Sequence, residues 1–485
     1  MEVLPLIRVF VKGGLVSPAD LLKIMEASKK AGNNYIMFGS RQDILFPAAE
    51  PEQKVVKAVL KNTDLEFDIT SSSKLQDPVK MHNIASSYVG VNMMETTWWL
   101  KEDVYHYILD SIDYQPMLKV NIVDPIQSLV PLFTGHLNFI ASREENYWYL
   151  YVRKKDESEQ LVCWPELIHG NDIAWVAKQV EEVFRIQPKI DADKLLTSIQ
   201  ERSRIKAKTI TESLKLPTAL FPYYEGLNAM LNNLYWLGLY WRNNRFDIAF
   251  LNAACRLCQK TNVGKISITP WKSFVVKGIR SQDRIYWEKL MGRFGINLRH
   301  SSLELNWHLP AFDKEALELK QYLVRELDQQ DISTHGLTLT IKNDPKMLLF
   351  TSVVIEKQGD YDSNGENLYN ILYARHFNPN NTEYFIYAKK LKKEKLPAFL
   401  IELSKIYFRQ LDEKGHTNKM ALVNNGDIHD ISSYQCTRCM TVYDKKFGDP
   451  EADIKAGTPF SELPDTYKCP VCSNDKKDYE PILEY

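Results

Sequence analysis

The chain has 485 residues, of which 44% are apolar and 25% charged, with 20 Gly and 22 Pro. That is the composition of a globular protein of about three folding units, at roughly 100 to 200 residues each; it excludes a disordered chain, a collagen and a single small module. Its 61 basic and 62 acidic residues leave no basic excess to hold nucleic acid or an anionic membrane. No run approaches the roughly 18 uncharged apolar residues of a membrane span. Met1 to Phe10 lacks the basic, apolar and small-residue order of a signal sequence, so a cytoplasmic protein is expected.

In chain order, Gly14 to Pro47 offers a Ser17 cap, Pro18 in the first helical turn, apolar residues at helical spacing, Gly32, and then two strands. The same order returns from Asn244 to Gly278. Leu118 to Ser142, with Asp124-Pro125, has its counterpart in Leu337 to Lys357, with Asp344-Pro345. Both copies continue through a Tyr-rich strand, Tyr147 to Val152 and Tyr384 to Tyr387, and close on an amphipathic helix, Trp175 to Phe184 and Pro397 to Leu411. Such a repeat predicts an α+β body with approximate two-fold symmetry, its copies spanning 1–189 and 242–413. The intervening 190–241 is expected to be mostly helical. Polar residues at 414–433 predict a linker, and 434–485 forms a separate tail. That tail holds seven basic and ten acidic residues, net −3, against +2 for the remainder.

Four of the seven cysteines crowd into the tail as Cys436-Thr-Arg-Cys439 and Cys469-Pro-Val-Cys472, 29 residues apart. A CxxC turn aims two sulfurs at one point, so two facing turns make a tetrahedral thiolate cage for iron or zinc. In a segment of 52 residues the metal would hold much of the fold. Tyr434, Tyr443, Phe460, Tyr467 and Tyr479 supply a small aromatic core.

Over essentially its whole length this tail resembles rubredoxin. The matching residues are Tyr434, Val442-Tyr443-Asp444, Gly448-Asp449-Pro450, Ile454, Gly457-Thr458-Pro459-Phe460, Leu463-Pro464, Tyr467 in place of the usual Trp, and Cys469-Pro470-Val471-Cys472. The resemblance implies one iron, cycling between Fe(3+) and Fe(2+), held by Cys436, Cys439, Cys469 and Cys472. Rubredoxins usually follow each CxxC with Gly, where this chain has Met440 and Ser473. A side chain forced to positive φ there costs about 1 kcal/mol, and the redox midpoint is expected to move more than metal binding does. The competing reading is a structural zinc ribbon.

The body resembles the hemoprotein fold of sulfite and nitrite reductases, whose halves are ferredoxin-like. Lys12-Gly13-Gly14, the helix from Ser17-Pro18, Gly39-Ser-Arg41-Gln42-Asp43 and Lys119-Val-Asn121-Ile122 carry the likeness. Within it, Arg41 and Lys119 are the candidate cofactor-binding or anion-binding residues, with Asn121 where the family has Lys. That family lodges siroheme between its halves and a [4Fe–4S] cluster on cysteines of the second half. Here Arg299 to Pro310 and Ile341 to Phe350 contain no Cys, so neither siroheme nor the cluster is expected. The resemblance therefore implies a noncatalytic docking scaffold joined to an electron carrier that serves a redox partner protein, a reductase of nitrogen or sulfur oxyanion metabolism. A siroheme enzyme with a built-in donor is the alternative.

Cys255 and Cys258 form a third CxxC but fall on the buried stripe of a helical pattern with Ile248, Leu251 and Ala254, so they are expected to be core. A second metal would have to recruit Cys163 and His169. Lys389 to Lys395 concentrates positive charge, either as a solvated face or as a patch for an acidic partner. No Walker loop or dinucleotide fingerprint occurs.

Overall fold

The computed structural model describes residues 4–70, 81–153, 161–187, 190, 192–202, 205–217, 220–230, 234–298, 303–310, 313–344, 347–361, 365–424, 433–438, 441–445, 447–449 and 452–482. They form two compact units, Met1–Ser404 and Lys405–Tyr485.

The larger unit opens with β1 (Leu6–Val9), β2 (Leu15–Val16), α1 (Pro18–Lys30), β3 (Tyr35–Phe38), β4 (Ile44–Pro47), α2 (Glu50–Leu60) and β5 (Phe67–Thr70). It continues through β6 (Ala85–Ser86), α3 (Glu102–Ser111), β7 (Val120–Val123), β8 (Leu137–Ala141), β9 (Tyr147–Arg153), β10 (Leu161–Cys163), β11 (Glu166–His169) and α4 (Ile173–Ile186). After α5 (Ala192–Gln200) and β12 (Ala207–Thr209) come β13 (Gly226–Ala229), β14 (Leu234–Tyr240), β15 (Phe246–Asp247), α6 (Ile248–Lys260), β16 (Ile266–Ile268), β17 (Ser273–Arg280) and α7 (Arg284–Arg293). The last elements are β18 (Trp307–His308), α8 (Lys314–Asp328), β19 (Leu339–Lys342), β20 (Val353–Tyr361), β21 (Asn367–Ala374), β22 (Tyr384–Leu391) and the start of α9 (Leu396–Asn424), whose residues from Lys405 on belong to the smaller unit.

A side-chain cap starts each of the paired helices, Ser17 as the sequence predicts and Asp247 as the structure adds. Ser17 Oγ accepts from Asp20 N at 3.0 Å ahead of α1, with Pro18 in its first turn, and Asp247 Oδ1 accepts from Phe250 N at 2.8 Å ahead of α6. The duplication is written in the sheets. One sheet has the order β15-β3-β4-β1-β5 and another β2-β16-β17-β14-β13. Each half thus lends a two-residue strand to the other: Phe246 pairs with Ile36, and Val16 with Ile266. The outer sheets repeat as well, with β6, β7 and β8 parallel and β9 antiparallel, then β18, β19 and β20 parallel and β21 antiparallel.

Three expectations are corrected. Residues 190–241 are not mostly helical: beyond α5, β12 joins the sheet of β11, while β13 and β14 belong to the second half, which therefore begins upstream of 242. The run Leu234–Tyr240 is a strand buried among partners, and in so short an apolar stretch periodicity does not separate strand from helix. By sheet position the partner of β9 is β21, so Tyr384 to Tyr387, in β22, corresponds to β11 rather than to Tyr147 to Val152. Finally, α9 runs to Asn424, well into the expected linker; no proline interrupts it, and Lys419, Met420, Ala421 and Leu422 are good helix formers. The remaining linker positions, 425–432, lie outside the described residues.

Candidate metal centre

In the smaller unit β23 (Ser433–Cys436) pairs antiparallel with β24 (Val442–Asp444) on one side and β25 (Tyr479–Ile482) on the other. Its core is aromatic. Tyr434 stacks on Phe460 with centroids 4.1 Å apart, and Tyr443, Tyr467 and Tyr479 close around them. Tyr467, where rubredoxins usually place Trp, donates to Asp449 Oδ2 at 2.8 Å, which gives its polar tip a buried partner. Gly448 sits at φ 67° with the carbonyls of Ile454 and Lys455 at 2.5 and 2.6 Å from where a Cβ would stand, so only Gly fits that turn.

Two matching turns aim the sulfurs. The N–H of Cys436 donates to Thr441 O at 2.9 Å, and that of Cys469 to Asn474 O at 2.8 Å. Sγ atoms of Cys436, Cys469 and Cys472 all lie within 4.8 Å of one another, with Cys436 and Cys472 3.6 Å apart. Tetrahedral thiolates at about 2.3 Å from a metal sit roughly 3.7 Å from each other, so the set fits one four-coordinate ion. Cys439 and Met440 lie outside the described residues. Asn474 Nδ2, at 4.0 Å from Cys436 Sγ, adds a side-chain donor that the motif alone did not reveal.

Ser473 adopts φ 58°, so the left-handed turn usually made by Gly carries a side chain here. Ser473→Gly is expected to stabilise the metal-loaded unit by about 1 kcal/mol, read as a higher denaturant midpoint for loss of the metal-centre absorbance.

Elsewhere the candidate residues separate. Cys255 and Cys258 are buried in the core with Ile248, Leu251 and Ala254, and burial pushes both thiols up, Cys255 to about 12. Cys163 is exposed at the end of β10 and its Sγ donates to Trp164 O at 3.4 Å. Among the described residues the tail sulfurs are the single metal-capable group, so Cys163 and His169 do not assemble a second one. Native protein exposed to a thiol reagent at pH 8 is expected to label Cys163 but neither Cys255 nor Cys258; peptide mapping reads it directly.

Arg41 is buried. Its Nη1 donates to Asn121 Oδ1 at 2.6 Å and its Nη2 to the carbonyls of Asn83 and Val120 at 2.9 and 2.7 Å, leaving only Nε without a partner. Burial lowers its pKa to about 10. Arg41 and Lys119 do share a neighbourhood: burial and then Lys119, Arg8 and Arg41 hold His82 far below the ordinary imidazole range. His82, which faces His136, was not singled out in the sequence, where a lone His carries no spacing signal. Lys389 to Lys395 falls across β22 and the turn before α9, where Lys393 lies over the Tyr322 ring.

Fold and site together define an iron-thiolate electron-transfer domain appended to a duplicated reductase-like body. The rubredoxin family model matches residues 433–479, and the model of the nitrite/sulfite reductase ferredoxin-like half domain matches residues 6–61. Rubredoxin-2 of Chlorobaculum tepidum is 42% identical over 52 residues, all of that protein and 11% of this chain. The high molecular weight rubredoxin of Moorella thermoacetica is 51% identical over 49 residues, 10% of this chain; the chain spans only 21% of that relative's length. The anaerobic nitric oxide reductase flavorubredoxin of Escherichia coli is 44% identical over 48 residues, 10% of each chain. The NirA protein of Mycobacterium tuberculosis superposes with a TM-score of 0.61 at 16% identity, over 81% of this chain and 79% of that one, which establishes the body's fold. Through its C-terminal domain the chain belongs to the rubredoxin family. Membership implies iron held by the cysteines, and the converging sulfurs fit it. Among the described residues no helix is long and apolar enough to cross a membrane.

Proposed function

We propose that the chain is an electron-transfer protein that accepts one electron at a single iron on Cys436, Cys439, Cys469 and Cys472 and delivers it to a separate reductase, with the body as a noncatalytic docking scaffold. The convergence of three thiolates within 4.8 Å carries this reading. Bound iron supplies a one-electron ferric/ferrous couple. The chain's own residues hold the sulfurs through the paired N–H to carbonyl bonds of the two turns, and Tyr434, Phe460 and Tyr467 exclude water from the inner side. Fixed ligands keep reorganisation on electron gain small, which favours fast transfer without bond making.

The noncatalytic role is supported by Arg41, whose two terminal nitrogens already serve Asn121 and the carbonyls of Asn83 and Val120. Thiolate metal sites of this kind favour a reducing compartment, so we place the protein in the cytoplasm. The match of residues 6–61 to a nitrite/sulfite reductase half domain supports a partner in nitrogen or sulfur oxyanion reduction. Metal analysis and absorbance of the purified full-length chain test the function: one iron per chain, red when oxidised and bleached by dithionite, is expected. A colourless zinc protein would overturn the proposal, and a strong Soret band would overturn the scaffold role.

A further inference from the structure

The pseudo-symmetry of the body supplies an internal control for its buried polar groups. Phe38 and Ile268 end equivalent strands, each closed by the same reversal, Gly39 N to Asp43 O at 2.8 Å and Thr269 N to Ser273 O at 2.9 Å. Gln42 and Lys272 therefore occupy the same position, and both are left-handed, at φ 60° and 58°.

Gln42 is fully paired. Its Nε2 donates to Ser86 O and Ile268 O at 3.0 and 2.8 Å, and its Oε1 accepts from Ser86 N at 2.7 Å. Lys272 is 8% exposed and has no hydrogen-bond or ion-pair partner among the described residues. The carbonyl equivalent to Ile268 O, that of Phe38, is taken by Asn244 Nδ2 at 2.8 Å. On β18, His308 packs edge-on against Trp271, the neighbour of Lys272 in the chain, at 6.4 Å and against Phe350 at 4.4 Å; it is 7% exposed, and neither ring nitrogen has a partner among the described residues. Lys320, which also acts on Lys272, is already matched: its Nζ donates to Tyr240 Oη at 2.9 Å and to Glu304 Oε2 at 3.3 Å, and Glu304 in turn takes Arg242.

An ammonium with three donors and a neutral imidazole with one thus lie at buried positions, with no carboxylate bound to either among the described residues. Leaving such groups unmet costs several kcal/mol, and an acceptor-rich ligand meets both. We propose that Lys272 and His308 form a buried binding site for a small inorganic oxyanion in the second half of the body, distinct from the metal centre and from the Arg41 neighbourhood. Burial and Lys320 lower the Lys272 pKa to about 7, so the site is cationic only below that pH, and above it binding must bring in a proton.

Inorganic sulfate, which does not titrate in this range, is the probe. Calorimetric titration of the full-length chain at pH 6 is expected to show one saturable site. Lys272→Met and Lys272→Gln, the second restoring the first half's own residue, should weaken it by about tenfold or more. Raising the pH from 6 to 8 should weaken wild-type binding by about tenfold and leave both variants unaffected. Sulfate also stabilises proteins nonspecifically, so a thermal shift that is equal in wild type and both variants overturns the proposal, as does the absence of saturable binding. Should Lys272→Met not fold, Lys272→Gln and the wild-type pH series still decide it.

Discussion

Cys469→Ser in the full-length chain is expected to abolish the red, dithionite-sensitive chromophore and to unfold the smaller unit while the body keeps its own unfolding transition. The metal domain cannot fold on burial alone. Its core is a handful of rings around the sulfurs, Tyr434, Tyr443, Phe460, Tyr467 and Tyr479, and a segment near 50 residues is marginal without a staple. Cys469 is buried between Tyr467 and Asn474 O, so a Ser hydroxyl there is a hard, protonated ligand held in a site shaped for thiolates. Losing a direct ligand should cost more than the 10- to 100-fold typical of outer-shell substitutions. Iron content by metal analysis and far-UV dichroism resolve the two effects. Retention of the full chromophore in Cys469→Ser would assign the metal to another ligand set.

The convergence of Cys436, Cys469 and Cys472 was legible because its information is local. Four cysteines at fixed spacing, and Gly448 in a turn that only Gly accepts, specify the domain with few long-range choices. The duplication was legible for a similar reason, since the order of elements after Gly14 returns after Asn244 and Asp-Pro recurs after equivalent strands. What escaped the sequence is long-range. The exchange of β2 and β15 between halves rests on two residues each, too few for any alternation to register. A lysine such as Lys272 ordinarily reads as surface, and only its counterpart Gln42, 230 positions earlier, shows that the position is interior. The strand Leu234–Tyr240 was hidden by uniform apolarity, its partner β17 being some 40 residues away.

Arg41→Leu is expected to destabilise the body by about 3 to 5 kcal/mol while leaving the spectrum and the potential of the metal centre unchanged. The substitution removes the donors from three acceptors at once: Asn121 Oδ1 and the carbonyls of Asn83 and Val120 would be left buried and unmet. Asn121→Lys should be damaging for the reciprocal reason. Asn121 stands 2.6 Å from the Arg41 guanidinium and also donates to Thr134 Oγ1 and Asn138 Oδ1 at 2.8 and 3.0 Å. An ammonium there faces a second cation, and the nearby carboxylate, Asp43, is bound to Arg8 at 2.7 Å. Equilibrium urea unfolding followed by tryptophan fluorescence measures the cost, and the metal chromophore serves as the control for the other unit. An Arg41→Leu protein as stable as wild type, yet unable to bind an anion that the parent binds, would return Arg41 to a ligand-binding role and remove the main support for a noncatalytic body.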